Sequence, residues 1–248
     1  MTMVMTGDVT PSTPGWEAYT SNREAAGPFE NQILYSMCRV NPAHNDPYVT
    51  AGKITAIGRI YAAAPERGAG SGRETGSLAS SIALRLENSR LDTMLDAIAF
   101  ADRFSDANLA SIVEVHQLLV DEIAQATRDW SIAADDEGWS PRNQPSFSSK
   151  YLHFHRPNMF PIMDSYAKAG LSCAGLTGSF DTYERFCAGF ARHAERQKPE
   201  WTPRSIDTDL VIRGRAHLDR ADTSCRECGM TFVRRSRKKK PAKMDGSY

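Results

Sequence analysis

No stretch of about 18 consecutive apolar residues occurs in this sequence, so no membrane-spanning helix is expected. Its opening segment, MTMVMTGDVTPSTPGW, lacks the basic start and long apolar core of a secretory signal, and a cytoplasmic address is the expectation. Cysteine is sparse. Five residues at irregular spacing do not make a disulfide framework and suit a reducing compartment. Period-2 alternation of apolar and polar residues is missing, as is any internal repeat, which argues against a sheet and against a solenoid. Net charge is also missing: 30 Lys and Arg balance 30 Asp and Glu. That zero conceals a division. Residues 213–248 hold eleven basic and four acidic residues, a charge of +7, against −7 for the preceding 212 residues. A basic tail on an acidic body suits an anionic partner such as nucleic acid; a solubilising terminus is the plainer alternative.

What is present is helical spacing. PFENQILYSMCRV places Phe29, Ile33, Leu34, Met37 and Val40 at helical intervals, and NPAHNDP then breaks the helix. VTAGKITAIGRIYAAA predicts a second helix, ended by Pro65. Residues 68–77, GAGSGRETGS, read as a flexible connection. SLASSIALRLENSRLDTMLDAIAFADRF predicts one helix, or two joined near Asn88. NLASIVEVHQLLVDEIAQATRDWS predicts a long amphipathic helix with Leu109, Ile112, Val115, His116, Leu119 and Ile123 on its apolar side. Residues 134–146 read as a loop. TGSFDTYERFCAGFARHAERQ predicts a helix beginning near Ser179 or Phe180, and TPRSIDTDLVIRGRAHLDR a last one. The expected fold is mostly α, a single helical domain or two helical lobes over residues 27–222. A flexible arm over 1–26 and a CxxC-containing basic tail over 223–248 flank it.

The densest chemistry lies in SFSSKYLHFHRPNMFPIMDSYAKAGL, residues 146–171. A short helix from Phe147 to His155 must end before Pro157, because the residue preceding proline is driven out of the α region. Asp164 then stands where the next helix begins, facing unpaired backbone N–H groups. Lys150 and Asp164 can therefore be read as a lysine nucleophile opposite a carboxylate, or as a solvated lysine and an N-cap. A lysine amine attacks carbon only when unprotonated, which burial or a neighbouring cation promotes. Ser149, Tyr151, His153, His155 and Arg156 would line the same site as substrate-binding groups. His153 and His155 could serve a metal-dependent nuclease only if the segment were extended, since i and i+2 on a helix point about 200° apart.

Two segments, GKITAIGRIYAAAPERG and SFSSKYLHFHRPNMFPIMDS, resemble signature segments of a group of bacterial proteins. The second also resembles, distantly, the core of the helix–hairpin–helix DNA glycosylase superfamily. There, bifunctional members carry a catalytic lysine on one helix and an aspartate at the start of the next. The matching positions here are Lys150, the FPIM connection and Asp164. PRSIDTDLVIRG is similar to a C-terminal helix of some of those enzymes, with Asp207 and Leu210 in the corresponding places. The resemblance covers about sixty residues. The glycine-rich turn that precedes the lysine in that superfamily is replaced by PRNQPSFSS, the lysine-to-aspartate spacing is fourteen residues, and there is no four-cysteine iron–sulfur loop. The resemblance implies an all-helical enzyme of DNA repair, a base-excising glycosylase (a hydrolase) and/or abasic-site lyase. It implies flipping of a nucleotide out of double-stranded DNA and Schiff-base chemistry at C1′. Tyr151, Phe154 or Trp139 would stack on the flipped base or, alternatively, pack in the core. A non-catalytic helical nucleic-acid-binding protein is the other reading of the same features.

Two features remain near the C-terminus. Cys225 and Cys228 form one CxxC, half of what a structural zinc needs; His217, Cys173 or Cys187 would have to complete it through folding or dimerisation. Arg234, Arg235, Arg237, Lys238, Lys239 and Lys240 form a run that would neutralise several phosphates, giving salt-sensitive binding without sequence preference. Arg59, Tyr61, Glu66 and Arg67 form a polar group at the end of the second helix, read either as an ion-paired surface or as part of the same cleft.

Overall fold

The computed structural model describes residues 29–66, 77–98, 103–133, 143–197, 201–218, 224–225 and 228–229. The expected N-terminal arm, Trp139 and the basic run 234–240 lie outside the described residues. Among the described residues there is no β-strand, and the fold is mostly α-helical as the spacing predicts.

The helices are α1 (Phe29–Val40), α2 (Pro47–Ile60), α3 (Leu78–Glu87), α4 (Leu91–Asp96), α5 (Leu109–Ala133), α6 (Pro145–His155), α7 (Ser165–Cys173), α8 (Tyr183–Ala194) and α9 (Pro203–Leu218). The stretch expected as one helix or two is two, α3 and α4, parted at Asn88–Arg90. The helix expected near Ser179 or Phe180 begins at Tyr183, because Thr182 caps it by accepting from the Arg185 N–H. Likewise α2 begins earlier than its apolar spacing suggests. Pro47 occupies the first turn, where its missing N–H costs nothing, and the Asp46 carboxylate accepts from Tyr48 N at 2.9 Å and Val49 N at 3.1 Å. Replacing Asp46 by alanine is expected to lower stability by about 1 kcal/mol, read from urea unfolding; an unchanged midpoint would show that water replaces the cap without cost.

α5 is the spine. It packs against α3, α4, α6 and α8, and Ile112, Val115, His116, Leu119 and Ile123 of its predicted apolar side are all buried. α6 lies deepest, between α1, α2 and α5. Every residue from Phe147 to Arg156 is buried, polar ones included. Polar side chains on a helix buried all round cost free energy unless they find internal partners.

α7 and α9 form the tightest helix pair. Their N-terminal residues Asp164 and Asp207 interact electrostatically at one end, and Cys173 meets His217 at the other, so the two helices run in the same direction. Glycine sets their separation. A Cβ on Gly170 would lie 2.2 Å from the Leu210 carbonyl oxygen, and one on Gly214 would lie 1.9 Å from that of Tyr166. Only hydrogen at both positions permits backbone to touch backbone.

Candidate functional site

The connection between α6 and α7, RPNMFPIM, is held from all sides. The Ser149 hydroxyl accepts from Met163 N at 3.0 Å, the Tyr183 hydroxyl donates to Pro161 O at 2.9 Å, and Phe104 N donates to Asn158 O at 2.9 Å. His153 completes the set. Its Nδ1 lies 2.9 Å from Phe160 O and its Nε2 2.7 Å from the Tyr35 hydroxyl. A carbonyl can only accept, so Nδ1 carries the proton and Nε2 accepts from Tyr35. Burial drives the His153 pKa down to about 3, and the ring stays neutral. With the connection fixed, Asp164 is fixed at the N-terminus of α7, where one carboxylate oxygen accepts from Ala167 N at 2.9 Å.

The other oxygen of Asp164 faces Lys150. The Lys150 ammonium lies 3.6 Å from Asp164 Oδ2, 2.8 Å from the Ser146 hydroxyl and 5.8 Å from the centre of the Tyr61 ring. Lys150 is 3 % exposed, and burial lowers its pKa despite the raising fields of Asp164 and Asp207. The lysine is therefore closer to a free amine than a surface lysine is.

Asp207 joins from α9. It is 4 % exposed, and its Oδ2 lies 3.4 Å from Arg204 Nη1. Its Oδ1 is buried with no hydrogen-bond partner among the described residues. Burial pushes its pKa up to about 7; Arg204 and Lys150 pull it down, and Asp164 adds a raising field. A carboxyl group poised near neutrality beside a lysine of lowered pKa is a proton-exchanging arrangement. Tyr61 closes the group, donating to Asn31 Oδ1 at 2.8 Å, and burial raises its hydroxyl to about 12. Ser146, Tyr61, Asp164 and Arg204 are partly exposed, whereas Lys150, Asp207 and Asn31 are buried, so the cluster has a floor and a solvent-facing rim.

The other residues singled out in the sequence occupy different ground. Tyr151 is fully buried among Phe147, His44 and His155, and Phe154 packs against Tyr35 and Tyr61. His155 stacks on His44, with ring centres 4.9 Å apart. Arg156 reaches the opposite way, to Leu95 O at 3.2 Å and Asp96 at 3.5 Å, and ties α6 to α4. His153 and His155 share no metal-binding position, since both nitrogens of His153 are already bonded. Ser149 serves the connection. Arg59 is exposed while Tyr61 meets Lys150, so the polar end of α2 is divided between surface and site. Arg204 and Asn31 carried no signal in the sequence; Asp207 carried one only through the similarity of its segment.

A second buried lysine lies on α2. Lys53 donates to Asn41 O at 2.9 Å and Ala43 O at 3.0 Å, holding the NPAHNDP turn. His44 in that turn is bonded through Nδ1 to Asp92 at 2.5 Å. This lysine is enclosed by carbonyls and is structural.

A further cluster lies at the far end of the α7–α9 pair. Cys173, His217, Cys225 and Cys228 bring four donor atoms within 4.8 Å of one another, a set that could hold a metal ion. Cys187 is not among them; it is buried in α8. Comparison with protein-family models, with curated proteins and with solved structures gave no match.

Proposed function

We propose that Lys150, Asp164 and Asp207 form the active site of a DNA-processing enzyme, a base-excising glycosylase and/or abasic-site lyase. The observation that carries this reading is the buried Lys150 amine held against Asp164 with a carboxyl group of pKa about 7 in its field. On an abasic site, the free amine of Lys150 adds to the C1′ aldehyde of the ring-opened sugar. Asp207, when protonated, gives its proton to the departing hydroxyl, and water leaves as the iminium forms. The resulting carboxylate removes a proton from C2′, and the electron pair expels the 3′ phosphate by β-elimination. Water then hydrolyses the imine and restores the amine. In base excision the same amine displaces the base from C1′, with Asp164 stabilising the positive charge on the sugar.

Among the described residues no helix is long and apolar enough to cross a membrane, and a DNA substrate would suit the expected cytoplasmic address. Residues 234–240 would add phosphate contacts to double-stranded DNA. The principal alternative is a helical nucleic-acid-binding protein without chemistry. A metal-dependent nuclease built on His153 and His155 gains no support from their packing.

The test is borohydride trapping on a labelled duplex with one abasic site, using wild type beside Lys150→Ala and the better volume match Lys150→Gln. Circular dichroism confirms that each variant is folded. Wild type is expected to give a covalent adduct, and both variants to lose at least 100-fold of it, as removal of a nucleophile does. Absence of a wild-type adduct while duplex is bound would remove the lyase and leave the binding reading.

A further inference from the structure

The four donors at the far end of the α7–α9 pair come from three places in the chain. Cys173 is the last residue of α7, His217 is one residue from the end of α9, and Cys225 and Cys228 follow α9. The Cys173 and Cys225 sulfurs are 3.7 Å apart. The Cys228 sulfur and His217 Nδ1 are 3.6 Å apart. A tetrahedral ion with Zn–S of about 2.3 Å and Zn–N of about 2.0–2.1 Å requires S···S edges of about 3.8 Å and S···N edges of about 3.5–3.6 Å. Both measured edges meet that requirement. They are also too long for a covalent S–S bond of about 2.05 Å.

The local backbone is suited to the same end. Gly229 N donates to Cys225 O at 2.9 Å, and Gly229 has φ of 70°, so the backbone beside Cys228 is held against that of Cys225. Glycine takes that left-handed conformation without the clash a side chain would meet. Cys173, Cys225 and His217 are buried, and Cys228 lies at the surface.

We infer that Cys173, His217, Cys225 and Cys228 bind one zinc ion, which clamps the segment after α9 onto the C-terminal ends of α7 and α9. Three thiolates and one imidazole form a soft donor set that excludes magnesium and calcium. Four protein ligands leave no open position for water or substrate, so the ion is structural. Cys173 stands nine residues beyond Asp164, about 14 Å along α7, so the ion fixes the helix pair from the end opposite the lysine. This inference is independent of what Lys150 does.

The test uses the full chain, purified from cells grown with added zinc and without chelator. Elemental analysis is expected to find one zinc per chain, falling to none in Cys228→Ser, while Cys187→Ser retains it. Removal of zinc and addition of Co²⁺ to wild type should give intense visible d–d bands of a tetrahedral thiolate site and thiolate-to-cobalt charge transfer. Zinc-free wild type should melt at lower temperature and recover on readdition. Because Cys228 is exposed, its serine variant is expected to fold, and circular dichroism checks this. Should the variant be unfolded, the cobalt spectrum of wild type decides the matter alone. Wild type with no zinc, no cobalt spectrum, or a Cys173–Cys225 disulfide by mass would overturn the inference. So would full retention of zinc by Cys228→Ser. Borohydride trapping does not enter these readouts, so the clamp and the lysine chemistry can fail separately.

Discussion

On acidification from pH 7 to pH 4, the protein is expected to lose its fold in one steep cooperative step. Four of its six histidines are buried with lowered pKa. Burial is the first cause in each. His116, stacked on Tyr183 and bonded to Pro145 O, falls to about 4, and His153 to about 3. His155 is lowered further by Lys53, His44 and Arg156, and His44 is lowered although Asp92 pulls the other way. An unfolded histidine takes up its proton near pH 6.5, whereas these stay neutral in the fold. As pH falls through 6.5 the unfolded chain therefore binds more protons, and stability drops until the folded pKa is reached. Each such histidine contributes a slope of about 1.4 kcal/mol per pH unit. Asp207 opposes them. Its folded pKa of about 7 lies above the unfolded value of 3.8, so it adds stability as pH falls across that interval, worth one proton against four. Even two uncompensated protons over two pH units amount to about 5 kcal/mol, comparable with the whole stability of a domain. Circular dichroism against pH would follow the step, and His153→Gln should make it shallower. A fold intact at pH 4 with an unchanged urea midpoint would refute the argument.

The second large effect is steric. Gly214→Ala is expected to destabilise the protein by about 3 kcal/mol or more, with Gly170→Ala close behind. Alanine favours a helix over glycine by about 1 kcal/mol, so propensity alone predicts the opposite sign. The added methyl decides it, because the atom 1.9 Å from Gly214 Cβ is a backbone oxygen of α7 and cannot swing aside. Gly52 on α2 is the control. It is exposed, and nothing lies within 4 Å of its added Cβ. Gly52→Ala should therefore stabilise by about 0.5–1 kcal/mol. Urea unfolding of the three variants separates clash from propensity; equal stability of Gly214→Ala and wild type would mean that α7 and α9 can part without cost.

How much of this was legible in the sequence depends on distance along the chain. The helices were legible because each is a local pattern: the apolar side of α5 is buried as its spacing predicts. Their starts were less so, since α2 and α8 begin where Asp46 and Thr182 can cap them. Lys150 and Asp164 were legible as a pair because one helix, a proline-bounded turn and one cap position join them. The remainder of the site was not. Asp207 reaches Lys150 only because Gly170 and Gly214 allow α7 and α9 to touch, and no local pattern relates two glycines 44 residues apart. The same pairing supplies Cys173 and His217 to a CxxC that alone is half a site. The histidines of α6 looked available in the sequence because a buried ring and an exposed one are written with the same letter.

The parallel pairing of α7 with α9 also sets an order of events during synthesis. Lys150 and Asp164 leave the ribosome together, but Asp207 follows 43 residues after Asp164, and Cys228 follows it by 64. At about 5–20 residues per second, the nascent chain carries its lysine for roughly 4 to 16 seconds before both ends of the helix pair can close. Until α9 is made, α7 has no partner for Gly170, and Asp164 has no second carboxyl group beside it. A chain that stops before α9 has the lysine and its first aspartate yet neither the second acid nor His217, Cys225 and Cys228. Synthesis of α9 is thus the step that brings the second carboxyl group to the lysine.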